Sequence, residues 1–283
     1  MSDDAVPTLR EVLDVVERLY PPATAQSWDR VGLVTGDPDQ PVRRVHLAVD
    51  PTLAVVAEAR DLGADLLLVH HPLLLRGVHS VATTSAKGAT VTDLVVGDVA
   101  LYVAHTNADV ADDGVSEALA EACGIGHGEP LAVVEGQPLG RVGDLAEALP
   151  LRRFVEDLVV HLPRAAGGVR VSGPPDAPVR RVAVLGGAGD DLFDAVRSAG
   201  ADVYVTADLR HHPVLEAREE ARGGPPYLVD AGHWASEHVW LARADRALRA
   251  GLGEAATRVE THISAVRTDP WTFVVGADLG GSE

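Results

Sequence analysis

The run Asp65-Leu66-Leu67-Leu68-Val69-His70-His71-Pro72 is apolar without interruption until it meets two histidines and a proline. A short continuous apolar run predicts a strand buried on both faces, as in a parallel sheet. Pro72 disfavours helical backbone at His71, which places the histidine pair at a strand exit. The carboxyl ends of such strands are where open α/β sheets bind ligands. Adjacent side chains on extended backbone point apart. The pair therefore suits two metal ions side by side better than joint chelation of one.

Around this run the pattern switches between helical and strand periods. Residues 8–20 show helical spacing after the capping-type Thr8, and Pro21-Pro22 ends it. The loop Ser27-Trp28-Asp29-Arg30-Val31-Gly32-Leu33 leads into a short strand. Residues 43–50 alternate as a strand, 52–62 read as a helix ended by Gly63, and the leucine run follows. That order is β-α-β, the signature of a parallel sheet. A helix near 88–97, a strand at 99–104 and a helix at 114–123 come next, with His105-Thr106-Asn107-Ala108-Asp109 at the strand's exit.

From Gly124 to about Pro178, glycines and prolines punctuate the chain. Helices are expected there near 143–149 and 151–158, with short strands between turns. Residues 179–185 then form a strand resembling 42–48, a helix follows at 190–199, and residues 200–206 parallel 63–69. The first copy ends in His70-His71-Pro72, and the second continues to His211-His212-Pro213. Two such units imply an internal duplication. A strand at 227–230 leads into a helix running from about His233 to Ala250, and further strands are expected at 259–264 and 271–275. The expectation is an α/β fold of two related α/β domains, 1–125 and 179–283, joined by a segment at 126–178. The C-terminal strands are free to return to the first domain.

A length of 283 residues with 46% hydrophobic content accommodates one large or two ordinary domains. No run approaches the roughly 20 apolar residues of a membrane helix. Met1-Ser2-Asp3-Asp4 is acidic and lacks a basic n-region, so no signal peptide is expected. The single cysteine, Cys123, excludes an intramolecular disulfide and fits a reducing cytoplasm. It also excludes a cysteine-based zinc knuckle, leaving nitrogen and oxygen ligands for any metal. A net charge of -18 argues against a nucleic-acid partner and reads as solubility.

The chemistry gathers at strand exits and one helix start: His70, His71, Asp109, His233 and Glu237. His233 and Glu237 are four apart and share a helix face. Imidazole and carboxylate ligands suit zinc, iron, manganese, cobalt or nickel. A pair of such ions bridged by carboxylate polarises a phosphoryl or carbonyl oxygen and acidifies water. The plainer readings are a loop cap for Asp109, a one-turn polar pair for His233 and Glu237, and a strand-end pair for His70-His71. His105 and Asn107 read as neighbours of the ligands or as loop. Asp208, His211 and His212 read as lining a cleft, with Asp208 alternatively starting a helix. Trp28 and Asp29 read as loop packing and capping, and Cys123 as core.

Four stretches together resemble the Nif3-like family, also called dinuclear-metal-centre hexameric proteins or GTP cyclohydrolase I type 2 homologues. They are Ser27-Trp28-Asp29 through Gly32-Leu33 and Gly36; Gly63 through Leu73; His105 through Asp109; and Asp230-Ala231-Gly232-His233 through Glu237. Thr268-Asp269-Pro270-Trp271 resembles the family's closing segment. The resemblance implies two α/β domains around a metal-binding cleft, in chains assembled as a toroidal homohexamer. It implies two divalent ions per chain, with His70, His71, Asp109 and His233 as ligands and Glu237 as bridge and catalytic residue. His105, Asp208 and His211 would then serve substrate or support the ligands. The segment at 125–178 is too short for the large inserted domain of some members, and Ala207 stands where the family has glycine before its acidic residue. The first functional expectation, from the chemistry of such a metal pair, is metal-dependent hydrolysis of a small phosphorylated or nucleotide-like substrate by a metal-activated water. The other expectation is a hexameric metal-binding regulatory or scaffold protein without turnover.

Overall fold

The computed structural model describes residues 6–276; Met1-Ser2-Asp3-Asp4 lies outside them. In chain order the strands are β1 (Gly32–Thr35), β2 (Arg44–Ala48), β3 (Leu66–Val69), β4 (Ala100–Val103), β5 (Glu129–Val134) and β6 (Gln137–Pro150). They continue as β7 (Arg170–Ser172), β8 (Pro178–Ala188), β9 (Val203–Ala207), β10 (Tyr227–Asp230) and β11 (Glu260–Ile263). The helices are α1 (Leu9–Leu19), α2 (Leu53–Asp61), α3 (Ala86–Val96), α4 (Thr106–Asp109) and α5 (Val115–Ala122). After them come α6 (Leu151–His161), α7 (Phe193–Ser198), α8 (His211–Glu220) and α9 (His233–Leu252). No helix among the described residues is long and apolar enough to cross a membrane.

Two sheets result. One runs β1-β4-β3-β2-β11, parallel except for the edge strand β1. The other runs β5-β6-β8-β9-β10-β7, parallel from β8 to β10 and antiparallel on both flanks. The leucine run is central in the first sheet and buried on both faces. Leu66 and Leu68 pack with α1 and α9, whereas Leu67 and Val69 pack with α2 and α3. That two-sided burial is why the run has no polar alternation. In the second sheet Val203 and Val205 pack against α6, while Tyr204 packs against α7. The capping box forms as expected, with the Thr8 side chain accepting from Glu11 N–H and Glu11 accepting from Thr8 N–H.

The duplication extends to individual hydrogen bonds. The Asp65 carboxylate accepts the backbone N–H groups of Arg43 and Arg44 at 2.6 and 2.9 Å, and Asp202 accepts those of Arg180 and Arg181 at 2.8 Å each. Gly63 and Gly200 end the preceding helices at φ +66° and +65°. Such backbone favours glycine. With Asp65 matched to Asp202, the exit residues His70-His71 correspond to Ala207-Asp208. His211-His212-Pro213 therefore resembles the first copy's ending in composition and not in register.

Two expectations are corrected. Residues 143–149 are not a helix: they lie in β6, where Asp144 pairs with Arg181 and Leu149 with Val179. Their Ala-Glu-Ala-Leu run favours a helix locally, but sheet pairing overrides that preference. Residues 271–275 form no strand among the described residues; Trp271, Phe273, Val274 and Val275 are exposed and have no strand to pair with.

Replacing Asp65 or Asp202 by alanine leaves two backbone donors without their charged acceptor. Each change is expected to lower unfolding stability by about 2 kcal/mol, measured as a shifted urea midpoint. A surface Asp→Ala control such as Asp157→Ala should stay within about 0.5 kcal/mol.

Candidate metal centre

Both sheets direct their strand exits to one place. The first supplies Asp50 after β2, His70 and His71 after β3, and His105 with Asp109 after β4. The second supplies Gly187 near the end of β8, Asp208 after β9, and His233 and Glu237 on the first turns of α9 after β10. Glu237 lies at the middle, only 3% exposed. Its Oε1 stands 3.0 Å from His233 Nε2 and 3.5 Å from His70 Nε2, and its Oε2 stands 3.1 Å from His71 Nε2. Asp109 Oδ1 is 3.6 Å from His70 Nε2, and His71 Nε2 is 3.2 Å from His233 Nε2.

The imidazoles are turned by their other nitrogens. His70 Nδ1 donates to the Ala104 carbonyl at 2.9 Å. His71 Nδ1 faces Asp50 at 2.7 Å, His233 Nδ1 faces Asp208 at 2.8 Å, and His105 Nδ1 faces Asp29 at 2.9 Å. Each acceptor holds a proton on Nδ1, so that Nε2 is the atom that offers a lone pair once the ring gives up its second proton, the arrangement by which proteins orient histidine ligands. Asp50 is itself held by the Thr268 hydroxyl, and Asp29 by the N–H and hydroxyl of Thr106.

The charges fit a site prepared for cations. Burial disfavours the Glu237 carboxylate, yet His71, His70 and His233 outweigh it and hold the group well below the usual range. Burial likewise opposes the charged form of His71, but Glu237 and Asp50 push it up to about 10. Asp208 and Glu237 overcome the same penalty at His233 and push it up to about 11. Asp109 is raised, chiefly by burial. Protons and divalent cations thus compete for the same inward-facing atoms.

The residues fit a metal on three further observations. His70 Nε2, Asp109 Oδ1 and Glu237 Oε2 are buried without a hydrogen-bond partner, a costly condition that a cation relieves. His70, His71 and His105, and separately His71, His233 and Glu237, offer ligand atoms within 4.8 Å of one another. Gly187, at φ +69°, leaves open the space beside these ligands: a Cβ there would lie 2.4 Å from Glu237 Oε1 and 3.3 Å from His233 Nε2.

The structure brings together His70, His71, Asp109, His233 and Glu237, and places Asp208 behind His233. His105 stands closer than the sequence suggested, grouped with His70 and His71. His211 is elsewhere, at the start of α8 in a groove with Arg170, Val214 and Leu228. Asp50, Gly187 and Thr268 contribute beyond the residues the sequence points to as ligands. The register of the duplication points to Asp208 directly, since it occupies the position of His71, whereas a loop Asp such as Asp50 carries no pattern of its own.

A family model described as Duf34/NIF3 (NGG1p interacting factor 3) matches residues 7–270. A Streptomyces coelicolor protein named GTP cyclohydrolase 1 type 2 homolog is 48% identical over 281 residues, covering 96% of each chain. A Mycobacterium tuberculosis protein of the same name is 36% identical over 374 residues, covering 94% of this chain and 97% of its own. That alignment is longer than this chain, so the mycobacterial protein carries residues absent here. The crystal structure of a Bacillus cereus protein related to NIF3 superimposes with a TM-score of 0.86 at 26% identity, covering 96% of this chain and 100% of that one.

The Thr268 hydroxyl reaches His71 only through Asp50. Thr268→Val is therefore expected to weaken zinc binding about tenfold in competition with a chelator, and Thr268→Ser to preserve it. Equal affinity in all three proteins would show that this hydrogen bond does not tune the centre.

Proposed function

The chain belongs to the Duf34/NIF3 family, and from that premise we propose a metal-dependent hydrolase of small phosphate esters holding two divalent ions. The observation that carries the proposal is the buried Glu237 carboxylate, facing three imidazole Nε2 atoms beside the unpartnered Asp109 Oδ1. In this reading His70 and Asp109 would hold one ion and His71 and His233 the other, with Glu237 within reach of all three imidazoles. His105, grouped with His70 and His71, would be a further donor on that side. When bound, such a pair supplies Lewis-acid polarisation of a phosphoryl oxygen and acidification of water.

The chain's own residues would do the remaining work. Asp50 and Asp208 fix the rings of His71 and His233, so the ligand atoms need no reorganisation on loading. Glu237 keeps its negative charge when buried, which favours two cations over one. The apolar floor beneath His70, where Trp240 lies 5.5 Å from its ring, limits water on that side. Zinc, iron and manganese all suit this donor set, and assembly as a ring-shaped homohexamer belongs to the same proposal. The cyclohydrolase name of the relatives would ask the same centre to open a guanine-type ring. The phosphate-ester reading requires only the donors described.

The test is turnover of a phosphate-ester panel by protein loaded separately with zinc, iron and manganese. The expected result is phosphate release by at least one form, abolished in Glu237→Ala and retained in Glu216→Ala on the exposed face of α8. Metal-loaded protein without turnover on any ester would favour a binding role instead.

A further inference from the structure

Beside the metal centre stands an aromatic side chain that packing does not explain. Trp28 is 50% exposed and belongs to none of the apolar clusters that flank the two sheets. Its ring meets that of His105 at 5.8 Å and 81°, and His105 lies 5.1 Å from the His70 ring and 5.5 Å from the His71 ring. The indole therefore borders the centre through one imidazole, with half of its surface open.

The loop that carries it is fixed from several sides. The Trp28 Nε1–H donates to Gln26 Oε1 at 2.7 Å, so the indole has no polar demand left. Ser27 donates through both its backbone N–H and its hydroxyl to the Glu135 carboxylate, each at 2.8 Å. Glu135 sits at the tip of the β5–β6 hairpin, so the second sheet grips a loop of the first. Gln26 N–H donates to Thr106 Oγ1 at 3.0 Å, and buried Asp29 binds Thr106 and His105 underneath. A loop so constrained holds an exposed aromatic face at little entropic cost to a ligand.

We propose that Trp28 is a stacking platform for the planar ring of a phosphate-bearing ligand, such as a nucleotide, whose phosphate lies at the metal centre. The proposal rests on the hydrolase reading for the position of the phosphate, and on Trp28 alone for the ring. Aromatic faces stack planar bases with little regard to their identity. The site would then select ligands by flatness, with the indole and the His105 ring forming a corner that a sugar phosphate alone leaves empty.

Calorimetry on the metal-loaded full chain separates the two parts, using guanosine 5′-monophosphate, ribose 5-phosphate and guanosine as probes. The wild type is expected to bind the nucleotide roughly tenfold tighter than the sugar phosphate. Trp28→Ala should bring the two within about twofold while leaving metal content and sugar-phosphate affinity unchanged, and Trp28→Phe should keep most of the preference. If Trp28→Ala weakens both phosphates equally, or changes the oligomer's size, Trp28 is a packing or subunit-contact residue and the proposal falls. The same holds if ribose 5-phosphate binds as tightly as the nucleotide in the wild type, with the hydrolase reading left intact. If guanosine binds through Trp28 but neither phosphate gains from the metal, stacking stands and the hydrolase reading fails. Binding of none of the three overturns both.

Discussion

A carboxylate that is almost wholly buried stays ionised only if its surroundings supply positive charge, and Glu237 imposes that requirement on everything around it. Three imidazoles answer it from two different sheets. Two of them are turned inward by carboxylates of their own, Asp50 and Asp208, and the third by the Ala104 carbonyl. The result is a buried group of alternating charge with unpartnered atoms at its centre. Such a group suits a cation better than it suits itself, because hydrogen bonds alone leave His70 Nε2 and Asp109 Oδ1 unsatisfied.

The rest of the architecture delivers those side chains. Duplicated β-α-β units give two sheets whose exits meet, and α9 ties them together. Its first turns carry His233 and Glu237, while further along Trp240 packs into the core of the first sheet. Tyr20 at the end of α1 accepts from Trp240 Nε1–H at 3.2 Å, and its carbonyl accepts from Asn107 at 2.7 Å. The helix bearing Glu237, the short helix α4 that ends at Asp109 and the floor under His70 are thus held in common. A shift in any one would move the others, which is how a packed core sets ligand geometry well beyond the ligands themselves.

Much of this was legible in the chain. The uninterrupted leucine run declared a two-faced strand, and Pro72 fixed where it stops. The i, i+4 spacing of His233 and Glu237 put both on one side of a helix. What stayed hidden was long-range. Asp50 and Thr268 matter because they come together across the first sheet: Asp50 sits in no pattern of its own, and the stretch that begins at Thr268 gives no sign of that contact. Residues 143–149 read as a helix because strand pairing with β8 is invisible in the window that sets propensity. His211-His212-Pro213 drew attention by composition, whereas the Asp65–Asp202 register aligns His71 with Asp208. His105 reads from the sequence as a neighbour of the ligands, and the structure groups it with His70 and His71, with its Nδ1 held by Asp29.

The most direct measurement is the number of divalent ions per chain. Elemental analysis would be made on untagged protein prepared without chelator, beside Glu237→Ala shown by circular dichroism to be folded. Two ions in the wild type, falling below one in the variant, is the predicted result. A wild type that binds no zinc, iron or manganese after incubation with each would contradict it, leaving the histidines and Glu237 as a buried charge network without a metal.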